Sequence, residues 1–473
     1  MIFPIITALI FKEINPCYDF IIGFLSCLIF GSLFTFLCAT DKDLGWAQGM
    51  VVVALAWLVA TLLGAIPFSL SGHWKSYLDC VFDSMSGFAT TGLVLAQDID
   101  HISKAVNLWR HLIMFMGGQG VVVITLSLLV RGSAGAFRMY VGEARDEKIL
   151  PNVVETSRFI WLVSIVYLIL GTLALAIVGK IEGMSWVNAF FHGVCIFMAA
   201  FDTGGFAPQS QNVLYYHSVW YEVVTIVIMI LGAINFKLHY TLWRQSKKEI
   251  ATNIETRTFF MTIMLTFFLL AIGLAKLGVY PDAMGLFRKG FYHLISGHTG
   301  TGYQTIYARQ FIHEWGALAL VALTIAMALG GGVCSTTGGI KMLRIGVILK
   351  ALYNDVKRIM LPEAIVFIEK YHHIKDVILE DRQVRSAVLI SLCYLSLYAV
   401  GGIVGMFLGY PALASLFEST SAAANVGLSC GITQAGMPAA LKITYILQMW
   451  IGRLEFMSIF TLVGFFIAFV RGK

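Results

Sequence analysis

Charge is scarce in this chain. Only 13% of its 473 residues are Asp, Glu, Lys or Arg, about half the share of an ordinary soluble protein. That shortage excludes a soluble globular enzyme, a disordered chain and a charge-laced coiled coil. Proline is also sparse, at nine residues. The eight cysteines are scattered with no CxxC pair, so neither a zinc site nor a disulfide framework is signalled. The 11 histidines show no HxxxH or HExxH spacing, which argues against the metal sites built on those patterns. No cleavable leader with an AxA-like site is apparent. The first apolar stretch leads into more apolar stretches.

What is abundant is apolar length. Hydrophobic residues make up 58% of the chain and the mean hydropathy is +0.80. A helix needs about 20 apolar residues to cross a bilayer, which leaves room for roughly ten such helices and little else. Long apolar runs lie near 17–39, 46–70, 105–130, 157–179, 217–236, 258–279, 311–331, 386–409 and 443–470, after a short one at 2–11. Each long run is expected to be a transmembrane helix. Between them, segments near 75–88, 185–200, 285–298 and 412–424 are too short and too polar to span. Such segments are tolerated at membrane depth when buried in protein or lining water, and they read as re-entrant pore helices.

The order of spanning helix, half-helix, polar turn and spanning helix occurs four times, and glycine, at 45 residues, marks each occurrence. The turns are Ser86–Leu93, Ala199–Phe206, Ser296–Tyr303 and Ser421–Leu428, aligned on Gly92, Gly205, Gly302 and Gly427. Three of them carry Ser six residues before that glycine, and a large apolar residue follows each. A second mark comes 25–30 residues later: Gly117-Gly118, Gly232-Ala233, Gly330-Gly331-Gly332 and Gly452-Arg453. Close helix packing is the plainer reading of this second mark. The expected architecture is an all-α polytopic membrane protein with four M1–P–M2 channel-like repeats around one pore. An N-terminal helix pair would occupy 1–40, and the repeats 41–131, 150–243, 255–350 and 384–473.

Charge placement orients the chain. The connections 131–158, 237–257 and 341–385, with residues 471–473, hold most of the 33 Lys and Arg. The positive-inside rule places them in the cytoplasm, so all four glycine turns open to the outside. The net charge of +6 is accordingly read as topology, not as a nucleic-acid patch. Four turns entering from one face would surround one axis. A permeating cation must exchange water for oxygens, and a ring of backbone carbonyls can supply them. Pointing successive carbonyls inward requires backbone angles that glycine adopts cheaply, and neighbouring hydroxyls add oxygens. Thr90-Thr91-Gly92, Thr203-Gly204-Gly205, Thr299-Gly300-Thr301-Gly302 and Asn425-Val426-Gly427 fit that chemistry.

With these residues the chain resembles the TrkH/KtrB superfamily of potassium transporters, and most closely its TrkH/TrkG branch. Further matching features are Gly64–Phe68, Trp109-Arg110 leading to Gly117-Gly118, Asn235-Phe236 with His239-Tyr240, Gly330–Gly339, and Gly452–Glu455. The resemblance covers about 40–470. It implies a single-file K⁺ filter at the residues just named, K⁺ being the transported ion. It implies a homodimer in the bacterial inner membrane, and a cytoplasmic TrkA-type partner that alone would carry nucleotide. It also implies a gate made of an intramembrane loop at 330–339, with Gly330, Gly331, Gly332, Ser335, Thr336, Thr337, Gly338 and Gly339, and of Arg453 in the cavity below the filter.

Other charged residues carry bland expectations. Lys341 and Arg344 read as inside-facing topology charges or partner contacts. Arg110 and Asp83 are expected to pair, and Glu418 to do similar structural work. Asp202 either raises cation density at the pore mouth or accepts backbone N–H groups, and His298 reads as packed support. Two other classes remain as alternatives. Gly427-Leu428-Ser429-Cys430-Gly431 matches the GxSxG pattern of hydrolases, but no strand precedes it and Gly427 is in register with three other turns. An ion-coupled carrier for another solute would often show inverted repeats, whereas these four run the same way.

Overall fold

The computed structural model describes residues 1–38, 45–120, 123, 134–143, 152–244, 248–360 and 369–472. Residues 131–133 and 144–151 of the expected cytoplasmic connection 131–158, and nearly all of the run at 105–130 beyond Gly120, lie outside those residues. The described part is mostly helical, and a single hairpin, β1 (Lys370–His373) with β2 (Lys375–Ile378), is its one sheet.

An N-terminal pair, α1 (Ile2–Ile10) and α2 (Ile14–Cys38), packs outside the bundle. Four sets of helices follow. The first is α3 (Trp46–Gly64), the short α4 (Ile66–Ser71), the half-helix α5 (Tyr77–Phe88) and α6 (Lys104–Gln119), with α7 (Ala134–Gly142) after it. The second is α8 (Val153–Ile181), the half-helix α9 (Trp186–Phe201) and α10 (Val219–Ala233), with α11 (Phe236–Arg244) and α12 (Lys248–Thr252) beyond. The third is α13 (Ile254–Leu277), the half-helix α14 (Tyr292–His298), entered through a π-helical turn, and α15 (Ala308–Glu314) with α16 (Gly316–Ala328). The long helix α17 (Met342–Ile359) and the hairpin precede the fourth set. That set is α18 (Asp381–Phe407), the half-helix α19 (Ala412–Ala423), α20 (Ala439–Arg453) and α21 (Met457–Val470).

Helix starts are set by side chains that accept the orphan N–H groups of a first turn. Ser76, Ser103, Ser185 and Ser218 accept from Asp79, Val106, Asn188 and Tyr221, while Asn152 and Asn253 cap the long spans α8 and α13. The half-helices are buried toward their C-terminal ends: from Asp79 to Phe88 all residues but Val81 are buried, and so is every residue of α14, whereas Trp186, Val187 and Phe190 at the start of α9 are exposed. Protein surrounds the ends that lead into the turns, as re-entrant backbone requires.

Among the described residues, five helices are long and apolar enough to cross a membrane, and two bent pairs qualify as broken spans. The chain is therefore a multi-pass membrane protein. The second helix of each set is not an uninterrupted span, as the glycines and hydroxyls at 330–339 already announce for the third set. α10 turns by 102° into α11, and α20 turns by 111° into α21. α6 stops at Gly120 with φ +95°, and α16 stops at Leu329, where the 330–339 loop begins. Hydropathy records that a segment is apolar and carries no direction, so the run at 443–470 merged both arms of the bend between α20 and α21. The second glycine mark lies at these breaks. A Cβ on Gly117, Gly232 or Gly452 would collide with the carbonyl of Phe88, Phe201 or Ala423, the last residue of the half-helix in the same set. Gly330 instead meets Gly338 of its own loop.

Candidate cation-conducting site

The four turns share one backbone course. Two residues before each filter glycine, the N–H returns to the half-helix: Thr90 to Gly87, Thr203 to Ala200, Gly300 to Gly297 and Asn425 to Ala422. The next N–H returns one residue further back, from Thr91, Gly204, Thr301 and Val426 to Ser86, Ala199, Ser296 and Ser421. This is the left-handed C-terminal cap of a helix. Its φ values are +53°, +53°, +71° and +56°. Only one of those positions is glycine, so Thr90, Thr203 and Asn425 hold a conformation disfavoured for side-chain-bearing residues, of the sort concentrated at functional sites. The filter glycines follow at φ +91°, +67°, +83° and +92°.

The turns close on one another in a ring. A Cβ on Gly92 would collide with the carbonyl oxygen of Gly204, one on Gly205 with that of Thr301, one on Gly302 with that of Val426, and one on Gly427 with that of Thr91. Each turn thus touches the next in chain order and the fourth touches the first. The half-helices end at this ring with their partly negative C-termini, an arrangement that favours a cation. Asn425 ties the ring laterally, donating to Thr91 Oγ1 at 3.1 Å and to the Met449 carbonyl at 2.9 Å. Thr299 is placed one step outside the expectation. It is the C-cap of α14, with its hydroxyl bonded back to the Ile295 carbonyl at 2.8 Å, and it corresponds to Ala89, Asp202 and Ala424.

The 330–339 loop crosses the inner end of the ring and reaches every turn. Thr336 Oγ1 lies 3.2 Å from Thr203 Oγ1 and 2.9 Å from the carbonyls of Phe201 and Gly232. Gly338 abuts Ala424 and Asn425, and Gly300 faces Thr337 and Gly338. Arg453 supplies the link to the first turn. It donates to the Thr336 carbonyl (2.7 Å), Thr90 Oγ1 (3.2 Å) and the carbonyls of Gly117 (2.6 Å) and Gly118 (3.2 Å). The loop is also bonded along its length. Gly332 N–H reaches Ala233 at 2.9 Å, Val333 N–H reaches Glu255 Oε1 at 2.7 Å, and Gly331 N–H reaches Thr337 Oγ1 at 3.0 Å. The glycines do not leave it loose here, because neighbouring elements satisfy its polar groups.

Several charged residues sit elsewhere than the sequence suggested. Asp83 and Arg110 make no direct ion pair: Asp83 accepts from Trp74 Nε1 (2.8 Å) and Leu95 N–H (2.7 Å), while Arg110 donates to Asn107 and the Ala207 carbonyl and lies 4.5 Å over the Phe206 ring. Asp202 is fully buried and accepts from Gln119 at 2.7 Å, away from any pore mouth. Lys341 and Arg344 face inward to Glu455, and Lys341 also donates to the Thr337 carbonyl. His298 is buried edge-on against Phe259. Ser429 of the GxSxG pattern donates to Glu418 at 2.6 Å. The buried ion pair of Lys442 with Asp79, 2.5 Å between α20 and α5, was not foreseen from the sequence, although a lysine immediately before the apolar run 443–470 was its signal.

Similarity to known proteins agrees with this geometry. Residues 17–467 match the family described as TrkH, cation transport protein. An uncharacterized cation transporter of Methanocaldococcus jannaschii is 32% identical over 461 residues, covering 97% of this chain and 90% of its own. The Trk system potassium uptake protein TrkG of Escherichia coli is 27% identical, covering 98% of this chain and 95% of its own. The crystal structure of the potassium transporter TrkH from Vibrio parahaemolyticus superposes with a TM-score of 0.79 at 24% identity, over 98% of this chain and 94% of that one, which speaks for the fold. The chain belongs to the TrkH family of cation transport proteins.

Proposed function

We propose that this chain is a potassium-uptake pore of a bacterial inner membrane. The observation that carries the reading is the closed ring of four positive-φ glycine turns, each against the carbonyl of the next. K⁺ enters from outside, exchanges water for the carbonyl and hydroxyl oxygens of the turns, and moves toward the cytoplasm. The membrane potential contributes about 2.3 kcal/mol per charge per 100 mV. That drives accumulation without a coupled ion. The 330–339 loop and Arg453 act as the gate, and the bonds just described represent its closed form. Opening requires that a partner favour a state lacking those bonds. A cytoplasmic TrkA-type subunit, itself the nucleotide binder, fits that task, with two copies of the chain forming a homodimer.

Proteoliposomes of the purified chain under an imposed potential test the reading. Flux of K⁺ or Rb⁺ in excess of Na⁺ is expected, rising when Arg453 is replaced by Ala. Absence of cation flux from both proteins would overturn it and favour a carrier for another solute.

A further inference from the structure

Nine residues before each filter glycine, on the half-helix, stand Asp83, Ile196, His293 and Glu418. Three residues after each glycine, on the outward leg of the turn, stand Leu95, Pro208, Thr305 and Cys430. In three repeats the first residue's side chain accepts the backbone N–H of the second. Leu95 donates to Asp83 Oδ1 at 2.7 Å, Thr305 to His293 Nε2 at 3.0 Å, and Cys430 to Glu418 Oε1 at 2.9 Å. In the remaining repeat the second residue is proline, which has no N–H to place, and the first is Ile196. An acceptor is present in each repeat that has the donor, and is absent in the one that lacks it.

The three acceptors differ chemically but are held with equal care. Asp83 is fully buried and its other oxygen accepts from Trp74 Nε1 at 2.8 Å. His293 Nδ1 meets the Lys289 carbonyl at 2.5 Å, which requires the proton on Nδ1 and leaves Nε2 as the acceptor. Its ring is edge-on to Phe311 and Trp315. Glu418 gathers the whole outward leg of the fourth turn: the N–H groups of Gly431 (3.2 Å) and Ile432 (3.1 Å) and the hydroxyls of Ser429 (2.6 Å) and Thr433 (2.7 Å). A plain packing role would be met by any residue of suitable volume. Nothing in packing would require an acceptor in three repeats and an aliphatic group opposite proline.

We infer that Asp83, His293 and Glu418 are positioning residues for ion selection. Each fixes the outward leg of its turn to its own half-helix, so the filter carbonyls between these two points keep their places when an ion arrives or leaves. Binding groups must be held to about 0.5 Å by such support if geometry is to discriminate. The inference rests on the cation-pore reading and deepens it: these residues set the ratio of K⁺ to Na⁺ flux without touching the ion.

The test uses the full chain with Glu418→Leu and Glu418→Gln. Two readouts are taken: hydrogen exchange of the 430–433 amides, and the K⁺/Na⁺ flux ratio in proteoliposomes. Leu removes every acceptor at that point, so faster exchange at 430–433 is expected while α19 stays protected. The flux ratio should fall by about tenfold or more, as expected for lost charge-assisted bonds. Gln keeps an amide oxygen for the N–H groups and should restore both. Should Glu418→Leu fail to fold, Asp83→Leu and His293→Leu carry the same comparison at Leu95 and Thr305. A folded Leu variant with unchanged exchange, or with an unchanged flux ratio, overturns the inference. If the unmodified chain shows no preference for K⁺, the pore reading fails by itself, and the exchange comparison still decides whether these side chains hold the turns.

Discussion

At the scale of single residues, the ring makes a sharp distinction among glycines. A Cβ at Gly302 would strike the Val426 carbonyl, and the backbone there has φ +83°. Overpacking costs about 1–3 kcal/mol and left-handed backbone about 1–2 kcal/mol for a residue with a side chain. That strain falls on the carbonyls that would face the ion. Gly302→Ala is therefore expected to reduce K⁺ flux to about a tenth or less, through misplacement of binding groups by even 1 Å. Gly436, with φ outside the left-handed region and nothing within 4 Å of a built Cβ, is the control. Gly436→Ala should conduct like the unmodified chain. Equal flux from both variants would remove Gly302 from the filter. Arg453 belongs to the same scale. Its guanidinium holds the loop, the first turn and α6 through four oxygens. Bonds from a charged donor contribute about 1.5–3 kcal/mol each, all of it in the arrangement proposed as closed. Arg453→Ala should raise basal flux about tenfold or more in the absence of a partner; an unchanged rate would make the arginine structural.

At the scale of elements, the recurring feature is the interrupted second helix. α6, α10, α16 and α20 all end where a glycine or the loop meets the end of a half-helix. Only the break at 330–339 was legible in the sequence, because a run of glycines and hydroxyls cannot remain helical unsupported. The bends after Ala233 and Arg453 were not, because periodicity does not encode the direction of a turn, and after Arg453 the chain stays apolar. The half-helices and the four turns were legible because a motif repeated in register outweighs any one copy. The partners of Glu455 were not, since Lys341 and Arg344 lie over 100 residues away in sequence. The loop's anchorage also yields a graded prediction. Thr336→Val keeps the shape of the side chain and deletes the hydroxyl that meets Phe201, Gly232 and Thr203. A neutral hydrogen bond contributes about 1 kcal/mol net, so basal flux should rise only a few-fold, less than in Arg453→Ala. A rise as large as that of the arginine variant would mean that the hydroxyl, not the guanidinium, secures the loop.

At the scale of the whole molecule, one path runs from the β1–β2 hairpin to the 330–339 loop. Glu249 of α12 accepts from the Ile374 N–H at 3.1 Å and pairs with His372 at 3.1 Å, while His372 also pairs with Asp376 at 2.8 Å. A few residues on, Asn253 caps α13, whose Glu255 accepts from Val333 in the loop at 2.7 Å. The hairpin therefore docks on the connection that leads to the 330–339 loop, the proposed gate. Asp376 and then Glu249 raise the pKa of His372 above its ordinary value of 6.5, against a smaller effect of burial. A raised folded-state pKa means that the charged imidazole stabilises the docked hairpin fully below about pH 6.5 and that this contribution is lost as pH rises through the raised value. Thermal melts of the unmodified chain and of His372→Ala, taken from about pH 6 to about pH 9, should differ most at the acidic end and converge at the alkaline end. Because the pair is partly exposed, added salt should shrink the difference. A difference that is constant across this range would show that His372 docks as a neutral ring, and would leave the hairpin without a charge-dependent hold on the segment leading to the gate.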